Sequence, residues 1–403
     1  MMKKLVVYIG RFVFPFEDAV AKRAYGLGLL FKDAGYDAAF IGESADVPPH
    51  SMSEDEIVNG FMFCNIHKAA SATEHYDYFF DLNLIRKKLV EWDNTFGILA
   101  VVFCGMKCAL LADGVVNICK KLKIPTVADS MDWLETNTGN LLFDLIKQAD
   151  ITYEIKTVNR KVSGLICISE FLAEYYKQKG KKTLVIPPIS PYAGMSLCMP
   201  ERDHIPTLVY AGIPCRLGKP LLNPSDAKDR LDVALELLYR IHKRSINFFF
   251  SVYGLTAEQY LVAFPHQELL VRELERAHKL VFFGRVSSKK VAEEVVKADF
   301  TLLLRDRNRV TMAGFPTKLS ESICLGTPVI TTDTSDVCKY ICDGREAIIL
   351  DICDLRLAED RLAAALSLPA EERIRRKNFC LDNTAFVPES YSEQVKAFFE
   401  NLI

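Results

Sequence analysis

The chain has 403 residues, with 50 lysines and arginines against 52 aspartates and glutamates, and half of its residues are hydrophobic. A length of this order suggests about two or three domains with more than one core, and the composition excludes disordered, collagen-like and disulfide-scaffold classes. The formal net charge of −2 speaks against a dedicated nucleic-acid binder, which carries a basic excess, and no apolar run approaches the roughly 18–20 residues of a membrane span.

At the amino terminus Arg11 interrupts the apolar stretch too early for a secretory signal, so Leu5–Gly10 reads as a first strand. A helix from about Asp18 to Ala34 follows, with Asp18 placed to cap it and Gly35 to end it. Asp37–Gly42 is a second strand, completing a β-α-β unit of the kind that builds parallel sheets. The alternation continues through strands at 61–64, 98–103, 125–129, 164–169 and 183–186, with a helix around Leu82–Glu91. Residues 187–206 contain five prolines and no apolar periodicity, the best linker candidate. Strands then resume at 208–212, 248–254, 281–284, 300–304, 328–331 and 347–350, with a helix over 229–243 and an amphipathic one from Ser392. The fold class is α/β: two doubly wound domains joined near residue 195. Twelve cysteines without a CxxC pair suggest reduced thiols and a cytosolic protein.

Several chemistries lack their motifs. Gly26–Phe31 has no third glycine and lies inside a helix, so a dinucleotide fingerprint is absent, as are a Walker A sequence and HExxH. None of the seven histidines pairs with another at zinc spacing, and no Asp-x-Asp suggests a magnesium clamp. The informative stretch is Gly314-Phe315-Pro316-Thr317-Lys318-Leu319-Ser320-Glu321, which follows an apolar strand and opens a helix. A helix start offers free N–H groups and a positive dipole end to an anion. Lys318 and Glu321 share one face at i,i+3, suiting a phosphate and a ribose, but taken alone the octapeptide reads first as an ordinary capped helix with a surface ion pair.

The wider set of landmarks resembles the retaining family 4 glycosyltransferases of the GT-B fold, formerly called group 1. It comprises Val209-Tyr210-Ala211-Gly212, Phe282-Phe283-Gly284-Arg285-Val286, Ala298-Asp299-Phe300, Gly314–Thr332 and Asp343-Gly344, in that order. In the first half, Phe14-Pro15, Ala34-Gly35-Tyr36, Ile166–Glu170 and Ile186-Pro187-Pro188 extend it. The resemblance implies two Rossmann-like domains facing across a cleft: an acceptor domain at 1–190, a linker at 191–206, a nucleotide-sugar domain at 207–388, and a helix at 389–403 crossing back to the first domain. It also implies a hexosyltransferase-type enzyme that moves sugar, with retained configuration, onto a glycan or lipid-linked acceptor in polysaccharide biosynthesis.

By that resemblance Glu321 takes the ribose hydroxyls, and Gly314, Phe315, Pro316, Thr317, Lys318 and Leu319 lie near the diphosphate. Gly284, Arg285 and Val286 meet the base, while Gly212 and Arg305 complete the donor set. Arg216 and Lys228 are the expected diphosphate cations, with Lys219 competing, and stand with Asp132 as the catalytic group. Asp129 and Trp133 are placed toward the acceptor, although Asp129 also reads as a loop cap and Trp133 as core. The expected cofactor is none: the nucleotide-sugar is a co-substrate and no metal is implied.

Two positions depart from the pattern. Ala313 stands eight residues before Glu321, where the family often has a first glutamate, and Met131 stands near the place of an acceptor-side histidine. Lys177, Lys179, Lys181 and Lys182 after Tyr175-Tyr176 read either as a solvated face or as a peripheral contact with anionic lipid at the inner face of the membrane. The alternatives to transfer are a sugar-nucleotide epimerase or phosphorylase of the same fold, or a non-catalytic relative serving as scaffold.

Overall fold

The computed structural model describes residues 4–16, 18–69, 78–133, 141–192, 204–221 and 223–402. The chain divides into two compact units, Met1–Pro191 with Val387–Ile403, and Tyr192–Phe386. Most of the expected linker, 193–203, lies outside the described residues.

The first unit is built on strands β1 (Leu5–Gly10), β2 (Asp37–Ser44), β3 (Glu56–Val58), β4 (Phe61–His67), β5 (Ile98–Cys104), β6 (Thr126–Ser130), β7 (Gly164–Cys167) and β8 (Thr183–Val185). They lie in the order β3-β4-β2-β1-β5-β6-β7-β8, parallel throughout except for the short antiparallel β3 on β4. Every residue of β1 is buried, which is why a central parallel strand reads as an unbroken apolar run. The helix Ala19–Asp33 begins where Asp18 accepts from the Ala21 amide at 2.7 Å. The closing helix Ser392–Glu400 returns to this unit, setting Phe399 against Phe31 and Tyr36 at 5.6 and 5.5 Å.

A buried ion pair fixes this core. The Arg23 guanidinium, with no exposed side-chain surface, donates to Asp129 through Nε at 3.2 Å and Nη2 at 3.0 Å. Its Nη1 donates to the carbonyls of Ile186 and Pro187 at 2.8 Å each. Tyr8 adds a hydroxyl to Asp129 at 2.8 Å, so the Arg23–Asp129 pair joins β1, the first helix, β6 and the chain after β8.

The second unit uses β9 (Thr207–Ala211), β10 (Phe249–Tyr253), β11 (Leu280–Gly284), β12 (Phe300–Leu303), β13 (Val329–Thr332) and β14 (Ala347–Leu350). Their order is β11-β10-β9-β12-β13-β14, all parallel. Counted from β9 this is the 3-2-1-4-5-6 winding, whose order reverses between β9 and β12 and opens a crevice at their carboxyl ends. On the helix Ala370–Leu381, Lys377 is 1% exposed. Its ammonium donates to the carbonyls of Val296 and Gly326 at 3.0 and 3.4 Å and to the Thr327 hydroxyl at 3.2 Å. Among the described residues no helix is long and apolar enough to cross a membrane.

Two predictions follow from these buried charges. Arg23→Ala strands Asp129 in the core and should cost about 3–5 kcal/mol in urea unfolding, whereas a loss under about 1 kcal/mol would contradict the role given to the pair. Burial pulls the Lys377 ammonium down to about 8, against about 10.4 in an unfolded chain. Between these values the unfolded state holds more protons, so stability gains as pH rises through the window. Wild type should therefore gain on Lys377→Met, by on the order of 1–3 kcal/mol, between about pH 7.5 and about pH 10. A pH-independent difference would contradict the assignment.

Candidate functional site

The crevice of the second unit is framed by the turns that follow β9, β10 and β11. The Gly212 amide donates to the Tyr253 carbonyl at 2.8 Å, and the Gly254 amide to the Gly284 carbonyl at 2.8 Å. Close approach to backbone requires glycine at 254, and a side chain at 212 would displace the Lys318 ammonium. A Cβ on Gly254 would lie 2.4 Å from the Gly212 carbonyl oxygen, and one on Gly212 would lie 2.2 Å from the Lys318 Nζ. Both hold positive φ, 110° and 150°, where a side chain adds strain.

Lys318 reaches this point from the first turn of the helix Thr317–Cys324, whose start has no side-chain cap. The entry to that helix is anchored by Phe315, 5% exposed, packed on Tyr340 and Phe386 at 5.6 and 6.0 Å. Leu319 is fully buried, and Gly314 and Pro316 are buried too. Apart from Thr317 and Lys318, both half-buried, this segment can meet a ligand only through its backbone.

Asp229 is the centre of the site. Its carboxylate pairs with the Lys318 ammonium, accepts the Tyr210 hydroxyl at 2.9 Å and accepts Arg305 Nε at 2.8 Å. Burial alone would raise its carboxyl; Lys318 and Arg305 more than reverse that and hold it well below the ordinary carboxylate range. Lys318 also lies 4.6 Å from the Tyr210 ring centroid and 3.3 Å from its hydroxyl. Burial lowers the Lys318 pKa, Asp229 opposes this, and the charges of Arg305 and Lys228 add to the lowering. About a third of its side chain, 31%, still meets solvent. Arg305 is 6% exposed, and among the described residues its Nη1 has no hydrogen-bond partner. A buried guanidinium nitrogen without an acceptor is costly unless a ligand or water supplies one.

The remaining expected residues fall into place around this cluster or apart from it. Lys228 sits at the neck of the loop after β9, where its amide donates to the Pro214 carbonyl at 2.9 Å, and its charge acts on Lys318. Arg216 and Lys219 are exposed farther out along that loop. Glu321 is half-buried beside Tyr192, whose hydroxyl is pushed up by burial and then by the Glu321 charge. Gly284 is buried, Arg285 is exposed, and Val286 packs partly buried against a cluster containing Val209 and Tyr253. Ala313 is fully buried, so the position eight residues before Glu321 belongs to the core.

In the first unit, Asp132 and Trp133 follow the carboxyl end of β6 and are half-buried. Trp133 meets Tyr175 and Phe171 edge-on at 5.0 and 6.4 Å. Asp129 must be reassigned. Both of its oxygens are taken by Arg23 and Tyr8 and its side chain is fully buried, so it positions the core and has no surface for an acceptor hydroxyl. Sequence reasoning did not single out Asp229 or Tyr210 as site residues, nor Glu43 and Glu154. Burial pushes the carboxyls of those two glutamates up to about 7. Glu154 begins a π-helical turn, Glu154–Val158, a distortion often found at functional sites, and nothing local in the sequence marks it.

The winding has counterparts among known proteins. Residues 226–379 match the family model described as glycosyl transferases group 1. Sucrose-phosphate synthase from Thermosynechococcus elongatus superimposes with a TM-score of 0.64 at 13% identity, covering 99% of both chains. A trehalose-6-phosphate protein from E. coli, bound with UDP-2-fluoro glucose, gives 0.63 at 10% identity over 99% of this chain and 100% of its own. The lipopolysaccharide outer core galactosyltransferase WaaB gives 0.56 at 12% identity over 97% and 99%. Among curated proteins nothing matches the chain. The structural likenesses define the fold, which is GT-B. The family match itself is confined to residues 226–379, within the second unit.

Proposed function

We propose that this protein is a glycosyltransferase that moves a sugar from a nucleotide-sugar to a glycan or lipid-linked saccharide acceptor, with retention of configuration and without a metal ion. The observation that carries the reading is the junction at Asp229, where an ammonium and a guanidinium from separate segments meet beside an uncapped helix start. Such a site suits the diphosphate of a nucleotide-sugar, with Lys228 adjacent as a third cation. Glu321 would hold the ribose hydroxyls, and the Gly284–Val286 turn would meet the base.

The chemistry asks for little beyond placement. As the bond from the anomeric carbon to the phosphate oxygen breaks, negative charge gathers on the leaving diphosphate. Lys318, Lys228 and the free Arg305 nitrogen are positioned to stabilise it, and a preorganised donor of this type is typically worth roughly 3–4 kcal/mol. The acceptor hydroxyl approaches from the face the diphosphate vacates, and its proton passes to a phosphate oxygen as the new glycosidic bond forms. No side-chain nucleophile is required, and these fixed cations take the charge-stabilising part that a metal plays elsewhere. In the first unit, Asp132 and Trp133 are the residues proposed to meet the acceptor.

Glu321→Ala tests the donor assignment. Thermal unfolding of wild type and variant is compared with UDP, GDP, ADP, CMP and dTDP, all without metal. Saturation at about a hundredfold over Kd stabilises the native state by about 2.7 kcal/mol. Wild type should respond to one nucleotide and the variant should not, with both melting alike when unliganded. An equal response in both proteins would remove Glu321 from the site.

A further inference from the structure

We infer that the first unit carries a second anion site, at the end of its sheet opposite the carboxyl ends of the strands. A half-open cavity of about 850 Å3 lies where β5, β6 and β7 begin, and four exposed lysines line it: Lys4, Lys120, Lys123 and Lys161. Ligands of doubly wound sheets bind at the carboxyl ends, so this cavity belongs neither to the donor site nor to the acceptor residues beyond β6.

The charge in it is largely uncompensated. Lys161 pairs with Asp113 at 2.6 Å, whereas Lys4, Lys120 and Lys123 form no ion pair among the described residues. Three unmatched cations on one concavity stand out in a chain whose formal net charge is −2, and a concave wall concentrates their field. Complementing the negative end of the helix Ala109–Leu122 accounts for Lys120 and Lys123 in part. It does not account for Lys4 or Lys161, which come from other segments. Nor does it explain why Lys123 occupies the left-handed cap itself, at φ 61° and ψ 30°, where glycine is the usual choice.

The rest of the lining sets the kind of ligand. Ile98, Ile124 and Pro125 give the cavity apolar walls, and Asn117 adds a polar group. The volume falls in the range of small-molecule sites, about 300–1,000 Å3, and far exceeds one phosphate. The ligand class is thus a phosphate-bearing molecule with a sizeable apolar or aromatic body. A soluble nucleotide and the headgroup region of an anionic lipid both satisfy that description. Leu402, just after the closing helix, also lines the cavity. That helix lies close over β7, since a Cβ on Gly164 would come within 2.8 Å of Phe398 and 3.0 Å of Leu402. Occupancy would therefore hold the end of the returning helix against the sheet.

The test uses the full chain, octyl phosphate as probe, and Lys123→Gly as the principal variant. Glycine suits the left-handed position, so this variant should fold at least as stably as wild type, and a loss of binding cannot be assigned to unfolding. Titration calorimetry should show saturable binding of octyl phosphate, weaker binding of inorganic phosphate, and none of octanol. Removing one charge-assisted contact should weaken octyl phosphate by about tenfold or more in Lys123→Gly, and likewise in Lys120→Gln. Lys318→Gln, at the donor site, should leave it unchanged. ADP and phosphatidylcholine vesicles with or without phosphatidylglycerol then separate the sources: whichever ligand loses binding in Lys123→Gly is the one the cavity takes. Absence of saturable binding, or binding indifferent to the cavity lysines, would overturn the inference.

Discussion

Asp229 occupies a position that elementary electrostatics makes demanding. A carboxylate taken out of water is strongly disfavoured unless cations and hydrogen-bond donors replace its solvation. Here the donors arrive from the end of β9, from the loop after β12 and from the helix that begins at Thr317. Because one small group satisfies all three, the turn at Gly212, the Arg305 loop and the Lys318 helix cannot be placed independently. The geometry of the crevice therefore depends on the burial of a single negative charge.

The first unit contains the same device in another state of completion. Tyr8 and Tyr210 are each the fourth residue of the first strand in their unit, each two residues before a glycine, and each donates to a buried aspartate. Around Asp129 the network is closed: every nitrogen of Arg23 has its acceptor and the pair is sealed from solvent. Around Asp229 it is open, with Lys318 partly solvated and one nitrogen of Arg305 unsatisfied among the described residues. The first arrangement stabilises a core. The second leaves positive charge available to a ligand, and this difference, more than the glycine turns alone, sets the two networks apart.

Much of this was legible in the sequence, for physical reasons that differ by region. Parallel strands buried on both faces announce themselves as apolar runs, so β1, β10 and most of their neighbours could be read directly. The three-residue β3, with its exposed edge residues, has no such signature. At the site, the turn glycines and the Gly314–Glu321 segment carry their meaning locally and stand out. Asp229 does not, because its role depends on Lys318, 89 positions away, and Arg305, 76 away. Asp129 misleads for the same reason: it looks like a loop cap or an acceptor ligand until Arg23, 106 positions distant, is brought against it. Of the expected cations, Arg216 and Lys228 looked alike in sequence. Only Lys228, held at the loop neck, acts on Lys318.

The central claim is that the cations gathered at Asp229 serve a diphosphate. The most direct measurement is calorimetric affinity for a nucleoside diphosphate and for its bare nucleoside, in wild type and in Lys318→Gln. The account predicts that the variant keeps its affinity for the nucleoside and loses about ten- to a hundredfold for the diphosphate, the worth of one charge-assisted hydrogen bond. Equal affinities for the diphosphate in both proteins, or a parallel loss for both ligands, would contradict it.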